Sequence, residues 1–490
     1  MRFRYVCIAL FIYLFALPHV LVADDYYIEW ADTLDNGDWD GAFSVAVDNS
    51  NNIIVTGISY IGGNNDYFIV KYDCNGTILW QDTIDNGDED YADCVAVDNS
   101  NNIIVTGYCT IGGDYDYFTV KYDSNGTILW QDTLDNNGLY DIARGVAVDN
   151  SNNIIVTGYC DIGNDCVYLT VKYDSSGTII WADTLNYGPW DSALDVAVDN
   201  DNNIIVTGYT STGANNDYFT VKYDSSGTIL WQDTIDNHEF DQAYGVAVDN
   251  SNNIIVTGCS GEPFSDYDYL TVKYDPNGTI LWQDTFDNND HDDVAYSVAV
   301  DNGNNIIVTG YSLELLGDYD YFTVKYDSNG TIVWQGTLDN GNNDIAHGVA
   351  VDNADNIIIT GKSHIDGNFD YFTVKYVPVP GIAEDEYFDL LSDNPIFYIY
   401  PNPFNEKTEI RWQVTDNGYQ IGDDRFKLEI YDINGRMIKE FNQLTNHQSP
   451  INHTTWDGTD SSNRKLPSGV YFLKFEIEGY TETEKLLLIR

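Results

Sequence analysis

The chain has 490 residues, 43% of them hydrophobic, which is long enough for several folding units and apolar enough to give each a core. Lys and Arg number 22 against 78 Asp and Glu, a formal net charge of −56. That balance speaks against nucleic acid and anionic lipid as partners and favours cations or basic surfaces.

The acidity is uneven. Residues 24–377 carry 9 basic and 59 acidic side chains, net −50, and residues 378–490 carry 11 and 19, net −8. At the N-terminus, MRFRYVCIALFIYLFALPHVLVADD has two arginines, an apolar run and Ala23 ahead of acidic sequence. This is the three-part plan of a secretory signal over residues 1–23, cleaved after Ala23. Pro18 and His19 interrupt the run short of a bilayer span, and no transmembrane segment is predicted in the mature chain.

From residue 24 to 377 one pattern dominates. NNIIVTG begins at Asn51, Asn101, Asn152, Asn202, Asn252 and Asn304, with the variant DNIIITG at Asp355. Tryptophans keep step at Trp30, Trp80, Trp130, Trp181, Trp231, Trp282 and Trp334. A spacing of 50 to 52 residues falls among propeller repeats. Each period holds four strand-like runs, for example CVAVD, NIIVTG, YFTVKY and TILWQDT, separated by Asn, Asp, Ser and Gly. In the DSNGT turns, Asn-Gly supplies the positive φ a tight hairpin needs. The uninterrupted IIV predicts strands covered on both faces, and the small alanines of VAVD suit a crowded axis, so that run is placed innermost.

The last copy, FTVKYVPVPG, has prolines where the other copies have a turn and a tryptophan strand. The missing strand is supplied by YYIEWADTL, Tyr26 to Leu34, if it pairs with Tyr371 to Tyr376. Such pairing would close a ring and leave no long open edge. The expected fold is therefore all-β: a seven-bladed β-propeller closed by an N-terminal strand, followed by a small C-terminal β-sandwich. The GVAVD, NIIVTG and YFTVKYD runs resemble the bacterial SBBP-type β-propeller repeat family, which implies the fold and little chemistry.

Six cysteines follow residue 23. Cys160 and Cys166 flank the short loop CDIGNDC in an exported chain and are expected to form a disulfide. No CxxC metal pattern occurs.

Residues 378–395 read as an acidic, Pro-containing linker, and residues 396–490 as a small β-module. YPNPFNEKTEIRW, DINGRMI, WDGTD, LPSGVYFLKF and KLLLIR, in that order, resemble the C-terminal sorting domain of type IX secretion substrates. The resemblance implies export to the outer cell surface or the medium. It also implies that the export machinery recognises Pro401, Asn402, Pro403 and Phe404, and Lys485 to Arg490; ordinary strand starts and edges fit the same sequence.

No nucleophile elbow, phosphate loop or catalytic triad occurs, so no catalytic residue and no metal ligand is assigned. His238, His291, His347 and His364 are placed at loop tips on one rim, without HxH or HExxH spacing. Loops such as DNGDWDGA and DNGDEDYA invite calcium, although the EF-hand order fails. An aspartate precedes alanine by two residues in every copy, Asp40, Asp90, Asp141, Asp191, Asp241, Asp293 and Asp344; such regularity predicts a structural role in accepting backbone hydrogen bonds. The VKY lysines are expected to form ion pairs within blades. The loops opposite the constant turns vary and carry Trp39, Tyr60, Tyr140, Trp190, Phe240 and Phe264, the candidate ligand contacts. Three functions stay open: a non-enzymatic scaffold binding a protein or polysaccharide through this face, an extracellular hydrolase or lyase with its site at the pore mouth, and a purely structural surface-layer component.

Overall fold

The computed structural model describes residues 26–37, 39–136, 140–211, 215–237, 240–262, 266–287, 291–313, 317–340, 342–365, 367–378, 396–400, 407–413, 427–433, 435–441, 451–461, 464–477 and 480–488. The expected signal sequence, nearly all of the expected linker, His238, Phe264 and the Pro401–Phe404 motif lie outside them. Every regular element among the described residues is a β-strand. The chain divides into two compact units, Met1–Gly381 and Ile382–Arg490.

Among the described residues, the first unit holds seven four-stranded antiparallel sheets, propeller-like blades in step with the repeats. In one of them the strands run Asp90–Val97, Ile103–Ile111, Asp114–Tyr122 and Ile128–Leu134. The second and third strands are almost wholly buried, because neighbouring sheets cover both faces; Ile103, Ile104, Val105 and Val120 have no exposed surface. Each such side chain contributes about 1.5–3 kcal/mol on burial. The fourth strand alternates exposed with half-buried residues and is the outer edge.

A repeated polar device ties the strands together. Asp98 accepts the backbone N–H groups of Ser100 and Asn102, while Asn101 takes φ 61°, a left-handed conformation that asparagine tolerates well. The other oxygen of Asp98 meets Lys121 Nζ at 2.9 Å, both groups buried. Six other VKY lysines, from Lys71 to Lys375, repeat this ion pair. Burial pushes Asp98 up, but the hydrogen bonds from Asn102 and Lys121 outweigh it and hold the carboxyl below its usual range.

The DSNGT turn differs from the expected tight pair. Only its glycine has positive φ, as in Gly126 at 85°, while Asp123 Oδ1 accepts the N–H groups of Asn125 and Thr127. The glycine is required twice over, since a Cβ there would sit 2.9 Å from the Trp80 ring of the preceding sheet. Trp80 Nε1 donates to Ser124 O in the same turn at 3.2 Å.

Tyr26–Leu34 pairs antiparallel with Asn368–Pro378, Ala31 opposite Val374, and completes the last sheet as expected. Trp30 then stands in the same relation to the first sheet as Trp80 to its neighbour, donating to Cys74 O at 3.2 Å. The first and last sheets share one core, with Ile358 and Tyr371 packed among Ala42, Val45, Ile53 and Phe68.

The expected disulfide is absent: Cys160 and Cys166 are free thiols. Strand register gives the reason. Cys160 stands opposite Val167 and Cys166 opposite Asp161, so the two side chains leave opposite faces of one hairpin. Asn136 Nδ2 donates to Cys160 Sγ, and Cys166 Sγ donates to Asp161 Oδ1.

The second unit has a three-stranded sheet, Ile396–Tyr400, Thr408–Gln413 and Ile451–Trp456, and a four-stranded sheet, Met437–Glu440, Lys427–Asp432, Gly469–Ile477 and Tyr480–Leu488. Ile410 and Trp456 from the first share a core with Leu428, Leu473, Phe475 and Leu486 from the second.

Candidate functional site

The innermost strand of each sheet carries one residue that its partner does not match. The register slips between Ala42 and Ser44, and again at the equivalent place in the other six sheets. Such a bulge re-aims the extra side chain. Just beside it the strands touch closely: a Cβ on Gly107 would fall 1.8 Å from Tyr91 O, which explains the constant glycine of NIIVTG. The bulged residues are Phe43, Asp93, Arg144, Leu194, Tyr244, Tyr296 and His347, and all seven line a single cavity of about 570 Å³. Tyr91, Ser192 and Gln242 from the same strands, and Tyr108, Tyr159 and Tyr209 from the second strands, complete its wall.

This site is asymmetric although its scaffold is repeated. Arg144 meets Asp93 at 3.0 Å and lies 6.0 Å from the ring centres of both Tyr108 and Tyr159. Burial raises the Asp93 carboxyl and the Arg144 charge opposes that rise only in part. Across the cavity the His347 ring stands edge-on to Phe43 at 5.6 Å and 4.9 Å from Tyr296, and its Nε2 has no hydrogen-bond partner. Burial, helped by the Lys362 charge, holds His347 down at about 3, so the imidazole is neutral. Burial also pushes Asp195, the residue after a bulge, up to about 7, although it accepts the N–H of Val246 at 2.8 Å. Asp93, Arg144 and His347 line the cavity and are partly buried. Chemically the arrangement offers aromatic faces for stacking, a charge pair for directional hydrogen bonds, and a neutral imidazole.

The loop aromatics are scattered by comparison. Trp39 packs against Phe369 with Lys362 Nζ 5.5 Å from its ring centre. Tyr60 donates its hydroxyl to Gly63 O. Tyr140, half exposed, lies on Tyr115, Trp190 is 59% exposed, and Phe240 is half-buried at the start of its strand. No ring contact joins any two of these five. Trp39 is linked to the cavity through Lys362 beside His347, and Tyr140 through Tyr115, which lies 4.9 Å from Tyr108 of the cavity wall.

Among the histidines, His347 is not at a loop tip but in the strand Asp344–Val351, and His364 is in Ile357–Ile365 against Phe369. The repeated aspartates act as expected: Asp40 and Asp90 accept the N–H of Asn36 and Asn86. The bulge position was missed by sequence reasoning. Its signal is a residue that changes type from copy to copy, F, D, R, L, Y, Y, H, within an otherwise constant strand.

Residues 398–489 match the family described as the Secretion system C-terminal sorting domain. The chain therefore carries a type IX sorting domain, which implies the type IX export machinery as partner and delivery to the cell surface or beyond it. Over 107 residues the chain is 33% identical to an uncharacterised WD repeat-containing protein of Acanthamoeba polyphaga mimivirus, covering 18% of this chain and 8% of that protein. It is similar to PorZ, an essential bacterial surface component of the type-IX secretion system of Porphyromonas gingivalis, at 14% identity and a TM-score of 0.46, covering 93% of this chain and 60% of PorZ. Sqt1 of Chaetomium thermophilum is similar at 14% identity and a TM-score of 0.43, covering 66% of this chain and 81% of Sqt1. Among the described residues no helix is long and apolar enough to cross a membrane.

Proposed function

We propose that this secreted chain is a seven-bladed propeller, closed by its N-terminal strand, that binds a polysaccharide or protein ligand in its axial cavity without transforming it. The observation that carries this reading is the set of seven bulge residues, of six different types, around one cavity. A purely structural repeat has no physical need for Phe43, Arg144 and His347 at equivalent places, whereas a ligand without sevenfold symmetry does. Ring closure is supported by recurrent ties between sheets: Tyr321 donates to Phe372 O at 3.3 Å, and Tyr371 donates to Phe68 O at 3.4 Å, joining the last sheet to the first. In this reading residues 1–23 are a removed signal, 24–377 the propeller, 378–395 a linker and 396–490 the sorting domain.

The enzymatic alternative has one observation in its favour, the raised Asp93 carboxyl and neutral His347 in the same cavity. A glycan array and a peptide library, probed with the full chain and with Tyr244→Ala and Arg144→Ala, separate the two. Binding without product, weakened at least tenfold by either substitution, supports the binding reading. Turnover that disappears with Asp93→Asn establishes the enzyme instead.

A further inference from the structure

We propose that Asp116, Asp135 and Asp141 form a binding site for a divalent cation of the calcium class, bridging two adjacent sheets. This site is separate from the axial cavity and does not depend on the function proposed for it. Asp116 lies in Asp114–Tyr122, Asp135 follows Ile128–Leu134, and Asp141 opens Asp141–Val148 of the next sheet. One carboxylate oxygen from each lies within 4.8 Å of the others, the separation found around one hard cation with ligand bonds of about 2.3–2.6 Å.

Two buried oxygens single this trio out from mere acidity. Asp116 is 3% exposed and Asp141 0%, and the Oδ1 atom of each has no hydrogen-bond partner. Asp141 Oδ2 is already engaged, accepting the N–H of Asn136 at 2.6 Å. No lysine, arginine or histidine among the described residues pairs with Asp116 or Asp141. Unpaired buried carboxylate oxygens are costly, and burial together with the Asp135 charge raises both carboxyls. A cation between them removes both penalties.

The repeat contains its own control. At the next boundary the equivalents of Asp116 and Asp135 are Val167 and Asn186, and only Asp191 remains. There the lone carboxylate is satisfied without a cation: Oδ1 accepts from Thr210 Oγ1, and Oδ2 from the N–H groups of Tyr187 and Gly188. Trios recur at Asp35, Asp40 and Asp370 and at Asp66, Asp85 and Asp90, so several boundaries have the same ligand set. Three converging carboxylate oxygens, completed by water in flexible geometry, suit calcium better than the rigid octahedron of magnesium.

The test is calcium stoichiometry of the full chain by equilibrium dialysis at pH 7.5, with terbium luminescence as a second readout. Tyr115 and Tyr140, chain neighbours of Asp116 and Asp141 with ring centres 5.2 Å apart, are placed to sensitise it. The wild type is expected to bind calcium with a dissociation constant of ~10⁻⁴–10⁻³ M, the range of extracellular modules. Asp116→Asn and Asp135→Asn should each lower the count by one and dim the terbium signal, whereas Asp191→Asn should leave the count unchanged. Asp135 is exposed, so its variant keeps the test valid if Asp116→Asn fails to fold. A wild-type chain that binds no calcium at ~5 mM, or a count that neither Asp116→Asn nor Asp135→Asn changes, overturns the proposal.

Discussion

The backbone N–H of Asn353 donates to Oδ1 of Asn51 at 3.1 Å, across 302 residues of sequence. The same bond joins neighbouring copies elsewhere, as from Asn150 to Asn202 at 2.8 Å. Asn51 and Asn202 also share the left-handed conformation, at φ 61° and 63°. If the ring is closed, the two positions are equivalent. Asn51→Ala and Asn202→Ala should then each cost about 2 kcal/mol, from the left-handed backbone and the lost hydrogen bond. The glycine variants, which keep the backbone conformation, should cost about half as much. Chemical denaturation checks this; a harmless Asn51→Ala beside a costly Asn202→Ala would mean an open end.

The buried ion pairs are expected to be brittle. Lys222 meets Asp199 at 2.9 Å with both side chains nearly inaccessible. Lys222→Met leaves a buried carboxylate without its cation and should cost about 3–5 kcal/mol. Lys222→Met with Asp199→Asn should recover part of that loss. The two midpoints in denaturant give the comparison.

Two titrations at the strand bulges pull in opposite directions with pH. His347 has its folded value depressed to about 3, so the unfolded chain binds more protons and stability falls as pH drops below about 6.5. His347→Phe should flatten that acid limb. Asp195 has its folded value raised to about 7, so the folded chain holds the extra proton and stability falls as pH rises from about 4 to 7. Asp195→Ser should keep an acceptor for the Val246 N–H, as Ser297 Oγ does for Val349. It should therefore raise Tm at pH 8 by about 2–5 °C and leave it little changed at pH 4. Calorimetric scans from pH 4 to 8 read both effects.

The sequence made the strands, their order and the displaced tryptophan strand legible, because constant hydrophobic runs and turn residues are local signals. The ion pairs of Lys71 and its equivalents were readable for the same reason. What was hidden depended on register. A one-residue slip after Ala143 turns Arg144 into the cavity, and a one-residue offset in the pairing of Cys160 and Cys166 puts them on opposite faces. His347 was placed at a loop tip because histidine is polar, whereas the bulge carries it into a cavity walled by other repeats. The loop aromatics drew attention by variety, but variety within the constant strand marked the shared cavity.

Trp30 gives a direct measure of what the N-terminal strand contributes. Its ring sits 5.8 Å from Tyr72, and a Cβ on Gly76 would come within 2.8 Å of it. Trp30→Ala should destabilise the chain by about 3–5 kcal/mol, as expected for a large aromatic removed from a packed contact. Urea titration followed by the remaining tryptophan fluorescence checks it.

Ring closure by the N-terminal strand is most directly tested by oxidative cross-linking of the Ala31→Cys, Val374→Cys double variant, mapped by mass spectrometry. Because Ala31 and Val374 are direct partners across the pair, the account predicts one dominant 31–374 disulfide in the folded chain. A folded variant whose two new thiols stay free, or pair elsewhere, would contradict it.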